Sequence, residues 1–204
     1  MKKIALPLVS FSLFMAACSN QSQKLIVFVK GTASWNDASK TIKLTNGGGH
    51  DELTVNLGGG ENTITLEGSD QKNTITTNSA GLWIVNAKAD TIVGGLVNYV
   101  DPSNRKNVTT QDELKQNIDS LNKMVNNQNI NAQNKTFYLL PNTTVKVSEN
   151  VLAEVVGPFH RMTTANAVDG KAPEVYRFYS LSEIRETIEK LTKLTVADKP
   201  TDEK

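Results

Sequence analysis

Four short units, Thr41-Ile42-Lys43-Leu44, Glu52-Leu53-Thr54-Val55, Thr63-Ile64-Thr65-Leu66 and Thr74-Ile75-Thr76-Thr77, follow one another at a constant step of 11 residues. In each, apolar residues alternate with Thr or charge, the pattern of a strand with one buried face. Between the units lie Asn46-Gly47-Gly48-Gly49, Gly58-Gly59-Gly60 and Gly68-Ser69-Asp70. Glycine permits the backbone conformations that tight turns need. The chain is therefore held to a repeat of one short strand plus one turn, four times over.

Two architectures satisfy that repeat: an antiparallel meander of hairpins, and a stacked β-solenoid in which equivalent residues form ladders. The fixed step with equivalent side chains favours the solenoid. The stretch is similar to Gly-x-Asn-Thr-Ile-Thr repeats of several bacterial envelope families of unknown function. Asn46 to Leu53 also resembles the Gly-Gly-x-Gly-x-Asp-x-aliphatic unit of calcium-binding β-rolls, which implies Asp51 as a calcium ligand. The later copies carry Asn62 and Asn73 where Asp51 stands, and calcium requires several hard, charged oxygens. Asp51, Asn62 and Asn73 are explained more simply as turn caps that bond to nearby backbone, so no calcium is expected. Thr63 with Thr65 and Thr74 with Thr76 can form an exposed ladder of the kind ice-binding or sugar-binding repeats use, or simply the wet side of a half-buried strand.

Leu25 to Val29 reads as a first buried strand, and Trp83 to Val85 and Thr91 to Val93 as two less regular ones. Asp101 to Lys106 is turn-rich and marks a boundary. Beyond it, Thr110-Gln111-Asp112-Glu113 fits a helix-opening capping box, followed by Leu114, Ile118, Leu121 and Val125 at helical spacing. Strands are expected at 136–140, 144–147, 151–156 and 174–179. A second capping box, Ser180 to Glu183, opens a helix with Leu181, Ile184, Ile188 and Leu191 on one face. The expected class is mainly β plus α+β: an N-terminal 11-residue β-repeat, then a small α+β module with two helices. The expected divisions are a signal peptide at 1–17, a tether at 18–24, the β-repeat domain at 25–100, a linker at 101–109, the α+β module at 110–194 and a flexible tail at 195–204.

The N-terminus sets the expected location. Lys2 and Lys3 precede an apolar run from Ile4 to Ala17, as in a secretory signal. Met15-Ala16-Ala17-Cys18 resembles the lipobox of bacterial lipoproteins, with Met15 where Leu is usual. The resemblance implies that Cys18 is lipidated and becomes the first residue of the mature chain, anchoring it to a membrane. Ser19, where an acidic residue would argue for the inner membrane, points to the outer membrane of a Gram-negative host. Loss of Lys2 and Lys3 lowers Lys plus Arg from 22 to 20, against 21 Asp plus Glu. That near-neutral balance lacks the basic field that holds nucleic acid. Cys18 is the only cysteine, so no disulfide or thiolate metal site can form within the chain.

No Gly-x-Ser-x-Gly elbow, His-x-x-x-His pair or phosphate-binding Gly-x-x-x-x-Gly-Lys occurs. His160 and Arg161, after the Gly157-Pro158 turn, are the candidate ligand-binding residues. The expected function is a lipid-anchored envelope protein with a binding or structural role, with no cofactor besides the lipid on Cys18. Its partner would be an envelope protein, a glycan or a host surface. The rival is an envelope hydrolase using His160 with Glu154 or Asp169.

Overall fold

The computed structural model describes residues 22–68, 72–97, 110–128, 130–131, 133–156 and 173–197. Among them the chain is mainly β with two helices, the fold class expected. Two long strands open it, β1 (Gln23–Asn36) and β2 (Thr41–Leu57), followed by β3 (Asn62–Glu67), β4 (Lys72–Thr77), β5 (Gly81–Asn86) and β6 (Ile92–Val97). Then come α1 (Gln111–Val125), β7 (Thr136–Leu139), β8 (Thr143–Ser148), β9 (Glu154–Val156), β10 (Val175–Ser180) and α2 (Leu181–Ala197). One sheet has the order β4-β3-β2-β1-β5-β8 and a second the order β7-β6-β10-β9.

The repeat is built from hairpins, not from a solenoid stack. β1 pairs antiparallel with β2, and β3 antiparallel with β4. The two hairpins join through β2 and β3, which pair in parallel over Thr41 to Lys43 against Thr65 to Glu67, and β1 pairs in parallel with β5 on its other edge. The first two units fall within the single strand β2. Facing, however, follows the repeat. Its second position (Ile42, Leu53, Ile64, Ile75) and fourth position (Leu44, Val55, Leu66, Thr77) are buried or half-buried in every unit.

The β1–β2 hairpin folds over on itself. Lys30 pairs with His50 but Gly31 pairs with Asn46, so Gly47 to Gly49 loop out of the register. β2 rises beside β3 to that point and then descends along the first limb of β1. Gly31 has a φ of +118°, and a Cβ there would overlap the Thr45 carbonyl oxygen and lie 2.6 Å from Gly47 N. Only glycine fits so sharp a bend between two backbones. The result is a cup whose interior holds Leu25, Val27, Ile42, Val55, Leu57, Ile64, Leu66, Ile75 and Val85.

β1 is buried on both faces, which is why Leu25 to Val29 is one apolar run and does not alternate. Leu25 and Val27 point into the cup. Ile26 and Phe28 point the other way and pack with Leu82, Ile84, Leu139, Val147, Tyr176 and Phe178 against the second sheet. The Phe28 and Phe178 rings lie 5.9 Å apart, a tilted aromatic contact. Each sheet draws strands from both sides of residues 101–109. β8 joins the first sheet beside β5, and β6 lies inside the second between β7 and β10.

Both helices start where their capping boxes place them. Thr110 and Glu113 exchange bonds at α1, and at α2 Ser180 N donates to Glu183 Oε2 (2.6 Å) while Glu183 N donates to Ser180 Oγ (3.3 Å). α2 packs on β10 through fully buried Ile184, and α1 packs on α2. α2 continues to Ala197, into the segment expected to be a tail. Among the described residues no helix is long and apolar enough to cross a membrane.

Candidate ligand-binding cleft

The two ends of the cup differ. One end is closed by Gln23, a residue expected in the tether but here the first residue of β1 and fully buried. Its Nε2 donates to Gly60 O at 2.6 Å. Its Oε1 accepts from Thr77 Oγ1 at 2.5 Å and from Asn62 Nδ2 at 3.3 Å. A buried amide is tolerated because both its donor and its acceptor are used. The bonds tie the start of β1 to the loop before β3 and the end of β4. The sequence signal for this plug is Thr77, a polar residue at the inward position that Leu44, Val55 and Leu66 hold in the other units.

The opposite end is open, and a cleft of about 690 Å³ lies there. Val29 and Lys30 reach it from the top of β1, Leu44, Asn46 and Gly47 from the turnover of β2, and Leu66 and Gly68 from the end of β3. Asn73 opens β4 beside it, Ala87, Lys88 and Ala89 follow β5, and Pro141 and Asn142 precede β8. The size is that of a small-molecule site, and its lining mixes apolar residues with Lys30, Asn46, Asn73, Lys88 and Asn142.

The segment after β5 is the most constrained part of this rim. Asn86 is fully buried, and its Nδ2 donates to Asp90 O (2.9 Å) and Leu139 O (3.1 Å). Its Oδ1 accepts from Lys88 N at 3.1 Å, and its backbone O accepts from Asn142 N at 2.8 Å. One asparagine therefore fixes the turn, the strand β7 and the 141–142 corner together. Lys88, carried on that turn, is only 7 % exposed, with Nζ 5.6 Å from the centroid of the Phe28 ring. Among the described residues Lys88 Nζ makes no ion pair or hydrogen bond. Sequence inspection passes over Lys88 because a lysine in an Ala-Lys-Ala-Asp turn looks like any solvated turn lysine.

A second polar cluster joins the two sheets. Glu174 Oε1 accepts from Tyr176 Oη and from Lys135 Nζ, both at 2.6 Å, and Oε2 accepts from Ser148 Oγ at 2.7 Å. Burial pushes the Glu174 carboxyl upward, but those three bonds and the Lys135 charge outweigh it and hold it below the usual glutamate value of 4.5. Burial first, and the Glu174 carboxylate second, push the Tyr176 phenol well above its ordinary 10.0. Tyr176 thus stays a donor and Glu174 an acceptor, so the cluster works as a tie between β8 and β10.

Cys18, His160, Arg161 and Asp169 lie outside the described residues. Asp51 sits in β2 opposite Val29, and among the described residues no group of three or more His, Cys, Asp or Glu is gathered as a metal site. Glu154 is exposed in β9. Thr63 faces Thr76, and Thr65 faces Thr74, on the wet side of the β3–β4 hairpin. This patch of two pairs stands over the buried Ile64–Ile75 pair. Comparison with known proteins returns no matching family model, no matching curated protein and no matching solved structure.

Proposed function

We propose that this chain is a lipid-anchored protein of the bacterial cell envelope, held in the outer membrane through Cys18, and that it acts by binding a ligand or partner at the open end of its β-cup. The observation that carries the binding role is the rim cleft, framed by separate chain segments and pinned by Asn86. The lipobox-like Met15 to Cys18 supports the anchor. With Gln23 fixed in the closed end, only residues 19–22 separate Cys18 from β1. The five steps from Cys18 to Gln23 span at most about 18 Å. The closed end then faces the membrane, and the first limb of β1 carries the rim roughly 23 Å away from it, at about 3.3 Å per residue.

The test has two parts. Cells fed an alkyne fatty acid should label the wild type and not Cys18→Ala. A photoreactive amino acid in place of exposed Ala89, at the rim, should give a discrete adduct in cells, and the same group at exposed Thr54, on β2, should not. No label on the wild type would remove the anchor, and no rim-specific adduct would remove the binding role.

A further inference from the structure

We infer that the rim cleft takes an anionic ligand, a carboxylate or phosphate group carried on an apolar body, and that Lys88 holds its charge. The inference rests on the cleft being a binding site, and it names the ligand chemistry.

Lys88 is buried to more than nine-tenths and lines the cleft. The stem of Lys88 is covered by the fold, and its charged head belongs to the cleft lining. The Phe28 ring, its centroid 5.6 Å from Nζ, is a weak partner for that charge and leaves its N–H donors able to turn to a ligand oxygen. A second lysine, Lys30, stands exposed on the same rim, and no Asp or Glu is among the described residues that line the cleft. Two like charges facing one concavity, with no carboxylate between them, set up a field that attracts anions. Val29, Leu44, Leu66 and Pro141 supply apolar walls beside that charge. The turn that carries Lys88 is fixed by Asn86, so little ordering remains to be done on binding.

The experiment uses the full chain and four probes: hexanoate, hexyl phosphate, hexanol and inorganic phosphate, followed by ligand-observed NMR titration. Hexanoate or hexyl phosphate should bind at least about tenfold more tightly than hexanol. Lys88→Met, which keeps the stem and removes the charge, should weaken the anions at least tenfold and leave hexanol unchanged. Lys88→Arg should retain most of the anion affinity, and Lys30→Gln should cost less than Lys88→Met. The stronger of the two amphiphiles identifies the head group; Lys88-dependent binding of inorganic phosphate alone would make a free anion the ligand. If Lys88→Met does not fold, the wild type still decides, through the preference for hexanoate over hexanol and through protection of Lys88 from acetylation by bound hexanoate. Hexanol binding as well as hexanoate, with Lys88→Met changing neither, would overturn the anionic ligand and leave the cleft as a binding site. Failure of all four probes while the Ala89 adduct persists would also overturn it.

Discussion

Gln23→Ala is the sharpest test of how the cup is closed. A tether residue replaced by alanine changes stability by less than about 0.5 kcal/mol. A plug residue does far more. The substitution removes two short hydrogen bonds, to Gly60 O at 2.6 Å and from Thr77 Oγ1 at 2.5 Å, each contributing about 1 kcal/mol. It also strands the Thr77 hydroxyl, fully buried beside the vacated space, for about another 1 kcal/mol. The expected loss is about 3 kcal/mol, or a melting temperature lower by roughly 6–12 °C for a chain of this size. Urea unfolding of the wild type, Gln23→Ala and the exposed neighbour Ser22→Ala measures it, with Ser22→Ala as the control near zero. Thr77→Val completes a double-mutant cycle. Its coupling to Gln23 should exceed about 0.5 kcal/mol, since the two side chains touch. A Gln23→Ala loss below about 1 kcal/mol, with no coupling to Thr77, would mean that the buried amide contributes nothing to closing the cup.

Gly31→Ala combines a left-handed φ with overlap against the β2 backbone, and should cost more than about 2 kcal/mol in chemical denaturation; a loss within 0.5 kcal/mol would refute the bend. Because the folded Glu174 carboxyl lies below 4.5, its contribution to stability is complete above that pH and is lost as pH falls through the lowered folded value. The stability gap between wild type and Glu174→Gln should therefore be widest near neutrality and shrink in acid, and a gap independent of pH would count against the tie. Ser180→Ala removes the α2 cap and should cost about 1 kcal/mol by urea titration, with the helical signal otherwise retained.

Facing was legible in the sequence where topology was not. Period-two alternation placed Ile42, Ile64, Leu66 and Ile75 inside because a strand buries alternate residues whichever neighbour it pairs with. That same indifference hides the neighbour: an 11-residue step suits a solenoid coil and a hairpin equally, and the fold-over at Gly31 depends on contact between Gly31 and Thr45, far apart in a linear reading. The capping boxes at Thr110 and Ser180 were legible because their partners lie three residues away. Gln23 was read as tether because a glutamine next to Ser22 and Lys24 looks solvated, and only Thr77 at an inward repeat position hinted otherwise. Of the cleft nothing was legible. Its walls come from β1, β2, β3, β4 and the turns after β5 and β7, and the burial of Lys88 exists only once they meet.

The double burial of β1 also governs the order in which this protein can be made. Phe28 is synthesised 150 residues before Phe178, the ring it rests against. At roughly 5–20 residues per second, that interval lasts roughly 8–30 s. Early in it the chain from β1 to β5 can close its cup, but Ile26, Phe28, Leu82 and Ile84 have only β6 to cover them until β7 and β8 emerge, and Phe28 waits for β10 to the end. A protein truncated near residue 100 is thus an adhesive half-product, and β7, β8 and β10 act as the clasp that covers the first strands.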